Sequence, residues 1–251
     1  MENDFYYKFV KPDKLLNDFV ENIGMFHNKS DTAKEVVIMP DGRVDLFFSK
    51  SASEPFHITL MGLETFPEQI SISPHTLAFV ISFKPLAVEY ILHTSIADHL
   101  DSARNLPDDF WNFNEHDLKD FDAFYKKASL KIKQLLPEDL DERKRRLFEF
   151  IYASKGSMKV AGLSENVGWS SRQINRYFNQ QLGLSLKVFC KILRFRASLE
   201  HIAQGKLFPE LDFTDQNHFI KEIKKFSGVV PKELSKNKND RFILLSVLKQ
   251  R

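Results

Sequence analysis

The 251-residue chain has one cysteine, Cys190, and nine glycines. A lone cysteine excludes an internal disulfide and any cysteine-rich zinc module, and fits a reducing compartment. No apolar run approaches the roughly 18 residues of a membrane span, and the opening Met1-Glu-Asn-Asp4 lacks the basic region and apolar core of a signal peptide. The expectation is a cytoplasmic protein with no membrane partner. The chain also lacks a phosphate-binding glycine loop, a nucleophile elbow, a His-x-His pair and a His-Glu-x-x-His helix. His57, His75, His93 and His99, with Glu64 or Asp98, therefore read as ordinary structural side chains and not as a metal set. No catalytic residue, metal or cofactor is expected, and Cys190, beside Phe189 and Ile192, reads as a packed thiol.

What the chain does have is apolar mass and a polarised charge. With 43% hydrophobic residues and 24 Phe it can bury a sizeable core. The formal net charge of +2 conceals a division before Arg143: residues 1–142 hold 14 Lys and Arg against 25 Asp and Glu (−11), whereas residues 143–251 hold 22 against 9 (+13). A concentrated positive half attracts polyanions by counterion release, so nucleic acid is the leading partner and the acidic half should avoid it.

The basic half contains Gly168-Trp-Ser-Ser-Arg-Gln-Ile-Asn-Arg-Tyr-Phe178. Gly168 supplies the permissive backbone of a sharp inter-helix turn, and Ser170 or Ser171 can cap the helix that follows. Beyond the cap the faces separate. Ile174, Tyr177, Phe178 and Leu182 recur as a buried stripe, while Arg172, Asn175, Arg176 and Asn179 recur at i, i+3, i+4 and i+7 without an acid among them. Arg and Asn make paired hydrogen bonds to guanine and adenine edges in a major groove. The spacing thus predicts a recognition helix over 171–181.

Elsewhere the first 110 residues carry β-type runs separated by turn residues. Glu35–Met39, Pro40-Asp-Gly42 and Arg43–Phe48 predict a hairpin, and Phe56–Met61, Gln69–Ile72 and Thr76–Phe83 predict further strands of an antiparallel barrel or sandwich. Pro12–Val20 and Pro85–Leu92 read as helices within it. A helical connector is expected over Glu115–Leu136, with Leu118, Phe121, Phe124, Tyr125, Ala128 and Ile132 on one face, and Pro137–Glu142 marks the domain boundary. Helices are then expected at Arg145–Ala153, Met158–Val167, Ser171–Gln181, Leu186–Gln204, His218–Phe226 and Arg241–Lys249. The fold class is α+β, divided as 1–112, a connector over 113–142, and an all-α module over 143–251.

Residues 145–235 resemble the AraC/XylS family of bacterial transcription regulators. The resemblance rests on Ser170–Phe178 with Leu182-Gly-Leu-Ser185, on Phe189, Arg194, Phe195 and Ile202, on Asp212-Phe-Thr-Asp-Gln-Asn-His-Phe219, and on Phe226-Ser-Gly-Val-Val-Pro231. It implies two helix-turn-helix units joined by a long helix, the first over Val160–Leu184. By resemblance the groove-facing residues are Arg172, Asn175 and Arg176 in the first unit, with Gln173 and Asn179 as further DNA-binding candidates on that helix, and Gln216, Asn217, His218 and Lys221 in the second, where Ile220 can touch a thymine methyl. Lys221, Lys224 and Lys225 can rest on phosphate.

The chain departs from the family pattern in the second unit. Only Lys-Leu-Phe-Pro-Glu-Leu separates Gly205 from Asp212, about one helical turn short, with Pro209 inside it. Asp212 replaces the usual turn glycine, and Ser164, Ser198 and His201 stand where Ala or Leu is usual, which implies looser packing. Readout by the first unit is therefore expected to dominate.

The first 112 residues resemble the cupin-like domain of unassigned function that often precedes this module, through Pro12–Gly24, Met39–Leu46, Phe83-Lys-Pro85 and Leu106–Trp111. That resemblance implies a small-molecule effector or a homodimer contact; double-stranded DNA and RNA polymerase are the partners expected of the regulator as a whole, and the sequence leaves open whether it is an activator or a repressor. Two other readings stay open: a degenerate module that binds protein without reading DNA, and a cupin-type metal-dependent enzyme.

Overall fold

The computed structural model describes residues 4–249, in two compact units. The first unit takes in the chain up to Lys34, Arg43–Gly62 and Ser71–Leu140; the second takes in Glu35–Gly42, Leu63–Ile70 and the chain from Asp141 onward.

The first unit is built on strands β1 (Phe5–Val10), β2 (Val20–Asn28), β4 (Val44–Lys50), β5 (His57–Met61), β7 (Leu77–Phe83) and β8 (Ala103–Leu106), in the sheet order β1-β2-β7-β4-β5-β8. Neighbouring strands run antiparallel. Val44, Leu46 and Phe48 alternate with less buried residues along β4, as a strand with one covered face must, whereas central β7 is buried over most of its length. Among the described residues the hydrogen-bond ladder has two ends, at β1 and β8, and is not closed into a ring by strand pairing.

The short helix α1 (Leu86–Tyr90) follows β7, with Pro85 at its N-cap. Helix α2 (Phe121–Gln134) lays Phe121, Phe124, Ala128 and Ile132 inward. The Phe124 ring sits 5.1 Å from Phe48, 5.0 Å from Phe79 and 5.2 Å from Phe113, and Phe121 lies edge-on to Phe79 at 5.4 Å. The helix expected to serve as a connector therefore contributes to the core of the sheet unit, because its apolar stripe has an aromatic face to cover.

Two expectations for this region are corrected. The runs on either side of Pro40-Asp-Gly42 do not form a hairpin: β3 (Lys34–Ile38) pairs with β6 (Glu68–Ile72), while β4 lies between β7 and β5. Turn chemistry predicts a local partner, but both edges of β4 are taken up by the central sheet. The expected helix over Pro12–Val20 shrinks to a single 3-10 turn, Lys14–Leu16, capped by Asp13. Leu16, Phe19 and Val20 are buried as expected, yet Val20 already opens β2 and pairs with Phe83. Strands β1, β2 and β8 are not legible in the sequence because none alternates cleanly between polar and apolar residues.

The second unit contains the β3–β6 pair and the helices α3 (Glu142–Ala153), α4 (Val160–Val167), α5 (Ser171–Leu182), α6 (Leu186–Ala203), α7 (Gln216–Ser227), α8 (Pro231–Lys236) and α9 (Ile243–Lys249). Asp141 caps α3 by accepting the Arg143 backbone N–H at 2.9 Å, and the Arg143 guanidinium beside it holds its carboxyl below the usual carboxylate range. The Val37 N–H donates to the Arg241 carbonyl at 2.7 Å, joining the strand pair to the chain just before α9. Long α6 forms the axis of this unit. Its Phe189 meets Phe148 and Phe178 at 6.2 and 5.4 Å, and its Phe195 meets Phe226 at 5.4 Å.

Candidate nucleic-acid interface

Helix α4, the turn at Gly168 and helix α5 form a complete helix-turn-helix. Gly168 closes α4 at φ +68°, ψ 22°, in the left-handed region where a side chain is strained, and no neighbour lies within 4 Å of where its Cβ would sit. Backbone conformation alone therefore calls for glycine. Ser164 donates its hydroxyl to the Trp169 carbonyl, so a residue expected to loosen the packing ties down the turn. Ser170 is the N-cap of α5: its Oγ accepts the Gln173 N–H at 3.3 Å, while Gln173 Oε1 accepts from the Ser170 N–H at 2.9 Å and from its hydroxyl at 2.8 Å. These reciprocal bonds make a capping box.

The inner face of α5 is set by Ile174, Phe178 and Leu182, all buried, with half-buried Tyr177 between the Trp169 ring at 5.7 Å and the Phe148 ring at 6.3 Å. Arg143 and Lys144 of α3 lie over the Trp169 and Tyr177 rings at 5.3 and 5.1 Å. Aromatic packing thus fixes the rotation of α5 about its axis and decides which side chains remain outside. Arg172, Arg176 and Asn179 are exposed. Two members of the expected donor set are engaged locally: Gln173 is folded back into the capping box, and Asn175, half-buried, donates Nδ2 to the Ser171 carbonyl at 3.0 Å. The sequence alone carries a signal for the first of these, since Ser170 and Gln173 stand at capping-box spacing.

The second unit is more than a turn short. Among the described residues no helix occurs between Ala203 and Gln216, so an irregular segment leads into α7. Polar contacts tether that segment. Arg194 of α6 donates Nη1 to the Asp212 carbonyl at 3.1 Å, His201 Nδ1 stands 2.9 Å from Glu210 Oε2, and Gln216 donates Nε2 to the Leu207 carbonyl at 3.0 Å. His201, a departure from the family's apolar positions, faces this segment; Ser198 is buried and bonds the Arg194 carbonyl within α6 at 2.9 Å. Asp212, which stands in place of the usual turn glycine, does not take up a left-handed backbone, because no tight inter-helix turn is made there. Phe208 stands 72% exposed beside Pro209.

Helix α7 is nevertheless well seated. Asp215 caps it by accepting the His218 N–H at 2.8 Å, Phe219, Ile223 and Phe226 are buried, and Lys191 of α6 pairs with Glu222 at 3.0 Å. Of its expected groove-facing residues, Gln216 is turned toward Leu207 with its Oε1 buried, and His218 accepts the Thr214 N–H at Nδ1. Asn217 and Lys221 are exposed, as are Lys224 and Lys225, and Ile220 is half-buried.

Cys190 lies on the inner side of α6, where burial pushes its thiol up to about 11 and keeps it protonated at neutral pH. Of the candidate histidines, His57 meets the Ser49 hydroxyl and the Pro55 carbonyl, and His75 meets Asp31. Among the described residues no three His, Cys, Asp or Glu side chains converge to hold a metal, and no helix is long and apolar enough to cross a membrane.

No curated protein matches the chain by sequence. Among solved structures the chain is similar to ToxT from Vibrio cholerae, at 12% identity and a TM-score of 0.43 over 93% of this chain and 98% of that one. A structure of ToxT from Vibrio cholerae O395 gives 10% identity and a TM-score of 0.46 over 94% and 98%. The O395 protein bound to (E)-4-(8-methylnaphthalen-1-yl)but-3-enoic acid gives 13% and 0.46 over 97% and 100%. Within the chain, residues 8–104, from inside β1 to inside β8, match the model of a domain of unknown function (DUF6597).

Proposed function

We propose that the protein is a sequence-specific, DNA-binding transcription regulator of the AraC/XylS type, in which α5 enters the major groove. The observation that carries this reading is the outer face of α5: a capped helix whose inner side is locked by aromatic packing and whose exposed side offers Arg172, Arg176 and Asn179, inside the half of the chain with a formal charge of +13. The two guanidiniums supply bidentate donors to guanine, and Asn179 an amide for the next turn of the groove. Lys221, Lys224 and Lys225 of α7 supply sequence-independent contacts to flanking phosphate. With Gln216 turned inward, α7 contributes grip and little readout beyond Asn217.

A mobility-shift titration of promoter DNA with wild type and with Arg172→Ala/Arg176→Ala tests the reading. The wild type is expected to select particular fragments with salt-dependent affinity, and the double variant to lose that selection. Equal, salt-insensitive binding by both overturns it. The missing helix before α7 favours one second reading, a module that keeps the fold and binds a protein partner; failure of the wild type to select any fragment decides for it. The sheet unit is assigned the regulatory part, as the site of a small-molecule effector or of pairing between two copies. Recruitment of RNA polymerase, with activation, completes the proposal.

A further inference from the structure

The helical module is not made of the C-terminal half alone. Residues 35–42 and 63–70, which lie well before it in the chain, are packed into the same unit. Val36, Met39 and Leu63 are buried, and Gly42 lies against α6: a Cβ placed on Gly42 would stand 3.1 Å from Leu193 Cδ2 and 3.2 Å from Phe189 Cε2. Gly42 also sits at φ +76°, so both backbone conformation and the close approach to α6 call for glycine. The Phe189 ring that it touches is fully buried and lies 5.4 Å from the ring of Phe178, the central inward residue of α5. Phe178 in turn meets Tyr177, which meets Trp169 in the turn before α5. A continuous line of packed side chains therefore runs from Gly42 to the back of the helix whose front carries Arg172 and Arg176. Close-packed interiors have little free volume and transmit small displacements.

We infer that Gly42 is a positioning residue for α5: through Phe189 and Phe178, the 39–42 segment sets the angle at which the donor face is presented. The inference rests on the proposed role of α5 as the DNA-reading helix. Residues 34 and 43, at the two ends of the 35–42 stretch, belong to the sheet unit, so the stretch is covalently continuous with that unit on both sides.

The test needs a reporter that does not depend on DNA. Trp111→Phe leaves Trp169 as the one tryptophan, next to Tyr177. In that background Gly42→Ala is compared with Gly205→Ala, which carries a similar left-handed strain (φ +80°) with nothing within 4 Å of the added Cβ. Gly42→Ala is expected to shift Trp169 emission and its acrylamide quenching and to weaken specific DNA binding about tenfold, within the usual range of coupling between sites. Gly205→Ala is expected to leave Trp169 unchanged, and Phe189→Leu combined with Gly42→Ala, which makes room for the added methyl, should return both readouts toward wild type. Identical Trp169 spectra for the two glycine variants overturn the inference, as does a Gly42→Ala protein that fails to fold and is not recovered by Phe189→Leu. Should the wild type select no DNA, the Trp169 comparison still decides the coupling, and only the DNA-reading role of α5 falls.

Discussion

The two units hang on the same long helix and both α5 and α7 bury an aromatic inner face against it, yet the chain that leads into each helix is held differently. Behind α5 stand the rings of Phe148, Phe178 and Phe189, all fully or nearly fully buried. Ahead of α7, where a helix is expected, the chain from 205 to 215 is held by half-buried Phe213, whose ring lies 5.2 Å from that of Phe219, and by the Arg194–Asp212, His201–Glu210 and Gln216–Leu207 contacts. Full burial of an aromatic side chain contributes about 1.5–3 kcal/mol, whereas a hydrogen bond contributes about 0.5–1.5 kcal/mol net and a partly exposed ion pair about 0–1 kcal/mol. The approach to α5 is therefore the more firmly held of the two and the approach to α7 the more weakly held, although the inner face of α7 itself is buried. A helix that must place guanidiniums against base edges needs the first kind of support, and one that rests lysines on phosphate tolerates the second.

The comparison is most sharply tested by aromatic truncation. Phe178→Ala is expected to cost about 3–5 kcal/mol of stability, and Phe208→Ala, in the segment that replaces the missing helix, less than about 0.5 kcal/mol; chemical denaturation checks both. A comparable loss at Phe208 breaks the distinction between the firmly and the weakly held approach. Next comes DNA affinity. Arg172→Ala and Arg176→Ala are each expected to cost about 1–3 kcal/mol with relaxed specificity at one base position, and Gln216→Ala much less, as read by competition binding against altered sites. Removing the cap is a smaller effect: Ser170→Ala should cost about 1 kcal/mol in thermal or urea unfolding, because it removes an oxygen that serves the Gln173 N–H and the Gln173 amide together. Least of all, Lys221→Ala should weaken all DNA sequences alike and reduce the slope of log affinity against log salt by about 1. Selective loss at one base position would instead make α7 a reader.

Much of this contrast is legible in the sequence. Ser170 as a cap, Gly168 as a turn, and the inward Ile174, Phe178 and Leu182 follow from local rules, since a cap, a left-handed residue and a 3.6-residue stripe need no distant partner. The shortness of the 205–212 segment is visible too, although its complete loss of helix is not. Six residues with a central proline favour few helical bonds, and the irregular path is met by polar groups at Arg194, His201 and Gln216 and by the Phe219 ring against Phe213. Asn175 shows where pattern reading stops: periodicity places it on the outer side, but its amide has a nearer hydrogen-bond partner in its own helix.

By itself, the sequence determined the chain's polarity of charge, the order of strands followed by helices, and the capped, two-faced helix expected at 171–181. These depend on composition and on residues within a few positions of one another. Tertiary structure alone decided that β3 would leave its neighbour β4 to pair with β6, that α2 would join the aromatic core of the sheet unit, and that Gly42 would lie on the back of the module that carries α5. The physical reason is the same for all three. An apolar face in the sequence states only that it must be covered, and which surface covers it depends on how the whole chain minimises exposed area while satisfying its backbone hydrogen bonds.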